Sequence, residues 1–206
     1  MISNVTVIKV GGSLFASSSG LGRAAAWMNE RSQHSPWVVI TGGGIWADRI
    51  RDLDRTQNLS AGVAHRLALR AMSLTSWILA QLLDCPHFAT WDELRAWQPS
   101  LATCCVFDAF QFCEEIEPGS DIPTLPIGWQ VTSDSIAARL AVALNAEELI
   151  LLKSTLPDCR DVVGATAEGY VDNFFPRAAE HLKRIRCVDL GPSGQSAECF
   201  LSRERI

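Results

Sequence analysis

Lysine is scarce in this chain: of 18 basic residues only Lys9, Lys153 and Lys183 are lysines, and the rest are arginine. Arginine brings a planar fork and lysine a compact point charge on a flexible stem, so the few positions that keep lysine are candidates for work arginine cannot do. Basic residues as a class are outnumbered, 18 against 23 acidic, for a net charge of −5. That balance lacks the cationic excess needed to bind a phosphate backbone and argues against a nucleic-acid partner. No run approaches 18 apolar residues, and the start MISNVTVIKVGG lacks the basic, then apolar, then small-residue order of an export signal. A cytoplasmic protein with no membrane partner is expected. There is no C-x-x-C among the seven cysteines, at 85, 104, 105, 113, 159, 187 and 199, and no histidine at zinc-finger spacing. A reducing compartment fits, and Cys104 and Cys105, in apolar sequence, read as small buried hydrophobes. The pattern G-x-x-x-x-G-K-[ST] is missing as well, which excludes a P-loop.

What is present begins with apolar content: 48% over 206 residues can bury one full core, so a single domain spanning 1–206 is expected. Val5 to Val10 and Pro36 to Thr41 are β-branched runs ending in glycines, Gly11-Gly12 and Gly42-Gly43-Gly44. Such near-continuous apolar runs mark strands buried on both faces, as in parallel sheets. The Ala-rich stretch Leu21 to Arg31 predicts a crossover helix between them. Ser60 to Asp84 predicts the longest helix, with Ser60 as N-cap and Val63, Leu67, Ala71, Leu74, Ile78 and Leu82 on one face. Leu69, Trp77, Leu79 and Leu83 widen the apolar coverage, so this helix is expected to pack on the sheet and on another helix or a second subunit, which points to a homo-oligomer.

Downstream, Phe88 to Thr90 and Thr103 to Phe107 read as short strands around a helix near Trp91 to Trp97, and Pro118 to Trp129 as a loop. Thr132-Ser133-Asp134 caps a helix with Ile136, Leu140 and Leu144 on one face, followed by a strand from Glu148 to Lys153. Thr155 to Gly169 shows no strong period, Pro176 to Arg184 suggests a helix, and Cys187 to Leu190 and Glu198 to Leu201 suggest strands. The alternation predicts an α/β fold, a three-layer αβα sandwich with a mainly parallel central sheet.

Ligands bind at the carboxyl ends of parallel strands, where both glycine clusters fall. Glycine lets backbone N–H groups approach phosphate oxygens with no Cβ in the way, and the following helix adds its positive end; merely turning the chain is the plainer use. Gly42, Gly44 and Ala47 fit the dinucleotide pattern G-x-G-x-x-A, but the chain then enters the long helix where that pattern needs a strand ending in an acid. Lys9 stands in an apolar strand directly before Gly11-Gly12. From there its ammonium can neutralise a transferring phosphoryl group, or snorkel from an edge strand to water. Asp134 opens a helix, where a carboxylate meets the dipole, and Lys153 ends the next strand. Together with Lys9 they place two cations around one carboxylate at the same sheet edge, an arrangement suited to phosphoryl transfer. Asp48, Arg49, Arg51 and Asp54 read either as a solvated face or as substrate contacts, with Asp48 best placed. His65 reads as a core-edge histidine and Lys183 as surface charge.

The succession VIKVGGSL, WVVITGGG and VTSDSIAARLAVALNAEELILLKS resembles the amino-acid-kinase superfamily over about residues 5 to 155. The segments GGGIWADRIRDLD, LSAGVAHRLALRAM, WQVTSDSIAARLA and GYVDNFFP bring it nearest to the short members that phosphorylate (aminomethyl)furanmethanol phosphate to the diphosphate in methanofuran biosynthesis. The resemblance implies an ATP-dependent phosphotransferase with ATP and Mg2+ as cofactors and a small phosphorylated substrate. It implies catalytic roles for Lys9, Asp134 and Lys153, with Asp134 holding the catalytic lysine in place. Gly11, Gly12, Ser13 and Ser154 are expected at the nucleotide phosphates, and Gly42, Gly43, Gly44 and Asp48 at the acceptor. With an anionic acceptor no general base is needed, and Mg2+ held by phosphates and water requires no protein ligand. Many superfamily members continue after the Asp-bearing helix and its strand into Thr-Asp-x-x-Gly; this chain has Lys153-Ser154-Thr155-Leu156-Pro157, and the usual downstream lysine has no clear counterpart. Two alternatives stand beside this reading: a uridylate or other small-metabolite kinase, and a non-catalytic nucleotide- or oxyanion-binding protein.

Overall fold

The computed structural model describes residues 4–17, 19–31, 35–99, 103–119, 122–192 and 196–202. The β-branched run at the start forms β1 (Thr6–Val10) and leads through its glycines into the short α1 (Gly12–Ala16) and then α2 (Gly20–Asn29). The second run is β2 (Trp37–Thr41), followed by α3 (Gly44–Gln57) and the long α4 (Ala61–Leu83). Next come β3 (His87–Phe88), α5 (Trp91–Ala96) and β4 (Cys104–Phe107). A π-helical turn, Phe112–Ile116, and a 3-10 turn, Glu117–Gly119, lead into a loop whose residues 120 and 121 lie outside the described residues. Then follow α6 (Ser133–Ala143), β5 (Glu148–Lys153), α7 (Val162–Ala167), α8 (Phe175–Ala178), β6 (Ile185–Asp189) and β7 (Ala197–Phe200).

The strands form one seven-stranded sheet in the order β3-β4-β2-β1-β5-β6-β7. All pairings are parallel except β6 with β7. The period-two alternation of each strand divides the core. Val5, Val7, Val38, Ile40, Leu149 and Leu151 pack on one face with α6, α7 and α8, whereas Ile8, Val10, Val39, Ile150 and Leu152 pack on the other with Leu14 of α1 and Ala24, Trp27 and Met28 of α2. This is the three-layer αβα sandwich that the alternation of elements predicts.

Several local expectations shift. Thr90 leaves the short strand because it caps α5: its hydroxyl accepts from the Glu93 N–H while the Glu93 carboxylate accepts from the Thr90 N–H. The helix expected over Pro176 to Arg184 is the single turn α8, and the unperiodic stretch after Thr155 contains α7, capped by Asp161. Ser60 does cap α4, accepting from Val63 N–H. The face of α4 turned to the sheet, however, carries Ala64, Leu69, Ala71, Met72, Thr75, Ser76, Leu79 and Ala80. Of the six residues expected on the buried face, Val63, Leu67, Leu74, Ile78 and Leu82 are exposed and only Ala71 is buried. Small residues let α4 lie close to the sheet, and the bulky stripe points outward.

Candidate active site

Strand alternation assembles the charged centre. Lys9 shares its face of β1 with Val5 and Val7; in the neighbouring β5, Leu149, Leu151 and Lys153 share the same face. Both side chains therefore run toward the layer of α6, at the carboxyl ends of adjoining parallel strands. Thr132 caps α6, its hydroxyl accepting from the Asp134 N–H, which puts the Asp134 carboxylate over the two strand ends. Lys9 Nζ stands 2.8 Å from Asp134 Oδ1, and Lys153 Nζ donates to Asp134 Oδ2 at 2.8 Å. Lys153 also donates to the Tyr170 carbonyl, with its ammonium 4.3 Å from the centre of the Tyr170 ring. Lys9 and Asp134 are 4% and 6% exposed, so two ammonium groups and a carboxylate meet in a buried cluster, with the Asp172 carboxylate near enough to act on Lys9. Burial pulls the Lys9 ammonium below the ordinary lysine range. Burial alone would push the Asp134 carboxyl up, but the Lys9 and Lys153 ammonium groups outweigh it and bring it down to about 2.

The glycine turns meet beside this cluster. A Cβ on Gly42 would lie 2.8 Å from Gly12 N and 2.9 Å from Ser133 Oγ, and one on Gly12 would lie 2.9 Å from Gly44 N. Gly44 has φ +56°, a left-handed conformation that costs an ordinary residue. The turns therefore touch through backbone alone. Next to them opens a cavity of about 330 Å³ lined by Gly12, Ser13, Gly42–Gly44, Asp48, Arg51, His65, Trp129 and residues of the α6 amino end, over a floor of Leu69, Met72 and Ile136. Because backbone cannot yield, Gly42→Ala is expected to lower stability by about 1–3 kcal/mol through overpacking. In urea unfolding the midpoint should fall with the slope unchanged. Gly62→Ala, where a new Cβ meets nothing within 4 Å, should leave stability unchanged or raise it.

No family model matches the chain. It is 27% identical over 169 residues, 82% of this chain and 68% of the relative, to a [5-(aminomethyl)furan-3-yl]methyl phosphate kinase of Methanocaldococcus jannaschii. Among solved structures it superposes on UMP kinase from Ureaplasma parvum with a TM-score of 0.67 at 13% identity, covering 97% of this chain and 96% of the other. Uridylate kinase from Archaeoglobus fulgidus gives a TM-score of 0.58 at 17% identity, covering 93% and 92%. The chain has the fold of these kinases, and its sequence is similar to that of a small-metabolite kinase.

Within this fold the structure brings together Lys9, Asp134 and Lys153, and sets Gly12, Ser13, Gly42, Gly43, Gly44 and Asp48 along the adjoining cavity. Gly11 packs against the Leu152 carbonyl and Lys153, and Ser154 Oγ meets Ser13 Oγ at 3.2 Å, so these two residues join the centre from the β5 side. Asp48 is largely exposed and paired with Arg51 at 2.8 Å. Arg49 lies in the solvated face with Asp52, and Lys183 pairs with Glu147 at the surface. Sequence reasoning left Trp129 unassigned. It forms a cavity wall because its indole donates to Asp54 at 2.6 Å and its ring carries the Arg51 guanidinium at 4.6 Å. Its loop is tied to α6 by the buried Arg139, which pairs with Glu117 at 3.3 Å and donates to the Pro123 carbonyl at 2.7 Å. An aromatic in a Pro-rich loop was the available signal, but nothing local connects it to a helix 75 residues earlier.

Proposed function

We propose that the chain transfers the γ-phosphoryl group of Mg2+-ATP to a phosphate oxygen of a small phosphomonoester, with (aminomethyl)furanmethanol phosphate as the foremost acceptor. The observation that carries this reading is Asp134 gripping two lysine ammonium groups at 2.8 Å each beside a glycine-lined cavity. Two point charges and Cβ-free turns fit the phosphates of a nucleotide and an anionic acceptor. Mg2+-ATP, when bound, would supply the phosphoryl group and a divalent charge to offset that of its phosphates. Lys9 and Lys153 offset charge on the oxygens of the transferred group. The amides of the Gly11-Gly12 and Gly42–Gly44 turns, with Ser13 and Ser154, orient donor and acceptor from either side. Asp134 is no general base: both its oxygens are engaged by ammonium groups and its carboxyl titrates at about 2. The acceptor's body rests on Leu69, Met72 and Ile136, with Arg51, His65 and Trp129 around it. Mass spectrometry of reactions with ATP, Mg2+ and a panel holding the aminomethylfuran phosphate, UMP and a carboxylate metabolite tests the reading. ADP with a diphosphate product is expected; nucleotide-dependent thermal stabilisation with no ADP from any acceptor would overturn it.

The same reading includes a cytoplasmic homo-oligomer joined through α4. Val63, Leu67, Leu74, Ile78 and Leu82 form an exposed apolar stripe, with Trp77 beside it 62% exposed and stacked on His87. Stripes of this kind are costly to leave in water. Sedimentation at micromolar concentration should show a dimer or larger, and Leu74→Glu with Ile78→Glu should give monomers. A monomeric wild type removes this part of the proposal.

A further inference from the structure

Asp172, on the loop between α7 and α8, takes no part in the chemistry described so far, yet its carboxylate is among the most heavily hydrogen-bonded groups of the molecule. Oδ2 accepts from the Thr132 N–H at 3.0 Å, the Thr132 hydroxyl at 2.8 Å and the Ser135 N–H at 3.1 Å. Oδ1 accepts from the Ser135 hydroxyl at 2.5 Å and the Phe174 N–H at 3.0 Å. Four of these five donors belong to the first turn of α6, on either side of Asp134. That turn thus holds an anion of its own. The positive end of α6 already carries a carboxylate.

Two residues before Asp172 lies Tyr170, whose carbonyl accepts from Lys153 and whose ring faces the same ammonium. One three-residue stretch, Tyr170-Val171-Asp172, therefore holds both Lys153 and the turn bearing Asp134, with Val171 buried between them as its anchor. We infer that Asp172 is a positioning residue: by locking the first turn of α6 and the Tyr170 carbonyl into one frame, it fixes the Asp134–Lys153 pair, and through it Lys9, at the place where the phosphoryl group is transferred. A simple helix cap would need one or two of these bonds. The geometry matters here because a misplacement of about 1 Å at reacting groups can cost on the order of 10²-fold in rate.

This inference rests on the kinase reading, so its test has an arm that does not depend on turnover. The chain has only three lysines, Lys9, Lys153 and Lys183, and Lys183 at the surface is an internal reference. Wild type, Asp172→Asn and Asp172→Ala are treated with formaldehyde and dimethylamine borane under native conditions, and methylation of each lysine is read by peptide mass spectrometry. In both variants methylation of Lys153 relative to Lys183 should rise by about fivefold or more as the frame opens locally. With an acceptor that the wild type phosphorylates, kcat should fall by about tenfold or more while KM for ATP changes by less than about threefold, and Asp172→Glu should recover part of the loss. Unchanged Lys153 methylation in the folded variants overturns the inference. So does raised methylation with unchanged kcat, which would make Asp172 a cap and no more. Asp172→Asn, which keeps size and one acceptor oxygen, serves where Asp172→Ala does not fold. A wild type that phosphorylates nothing overturns the kinase reading alone, and the methylation ratio still decides this one.

Discussion

Replacing Lys9 with alanine should reduce turnover by about 10²-fold or more while the protein stays folded, since removing a preorganised charge from a transition state costs on this scale. Lys9 is buried at the end of a central strand, and its only described ion-pair partner, Asp134, keeps Lys153 when Lys9 is lost. The fold tolerates the change because the variant loses a buried ammonium that burial already disfavours. Lys9→Met separates charge from packing: it keeps most of the stem's volume and should be as slow as Lys9→Ala but more stable. Near wild-type kcat in either folded variant would show that the transferred group lies elsewhere.

Asp134→Asn should be damaging in two ways. Activity should fall by a similar factor of about 10²-fold, mainly in kcat, because both lysines remain but nothing fixes them toward the reacting group. Stability should fall too. Thr132, not Asp134, is the N-cap of α6, so asparagine's capping ability is of no help. Two buried ammonium groups would lose their shared counter-ion, a loss of about 3–5 kcal/mol for a broken buried pair. The pH dependence gives the sign. In the wild type the Asp134 carboxyl lies at about 2, below its unfolded value of about 3.9. Its stabilisation is fully present above about pH 4 and is lost as the pH falls toward 2. The variant lacks that acid transition. Instead the Lys9 ammonium, already lowered by burial, is lowered further, and its penalty is relieved as the pH rises toward the unfolded lysine value of about 10.4. The thermal midpoint of Asp134→Asn should therefore climb between neutrality and pH 10 relative to wild type. A variant with wild-type kcat and a parallel pH profile would reduce Asp134 to a structural residue.

The parts of this architecture that could be read from the sequence are those with a strict local period. β1, β2 and β5 are β-branched or aliphatic runs, and alternation alone puts Lys9 and Lys153 on one face once the strands are neighbours. Glycines at strand ends and the Thr-Ser-Asp cap were likewise visible. On α4 periodicity misleads, because two faces are apolar and the sheet selects the small one: Thr75 is buried through hydrogen bonds to Thr41 and to backbone carbonyls that a hydropathy pattern does not register. α7 is short and its Val-Val-Gly-Ala-Thr core has weak helical preference, so Asp161 and tertiary packing define it. Asp172 was legible only as part of the segment GYVDNFFP; its five hydrogen bonds come from residues up to 40 positions away and from the turn after it.

The backbone contact between the two glycine turns bears on how this protein can diversify. Where Gly12 meets Gly42 and Gly44 there is no room for any side chain, so that junction offers mutation almost nothing to work with. The neighbouring cavity is different: Asp48, Arg51, His65 and Trp129 line it from α3, α4 and a loop, as side chains and not as backbone. Under the proposed function, drift in substrate preference is thereby channelled into the cavity wall, and a new acceptor can be recruited while the lysine-aspartate centre is inherited intact.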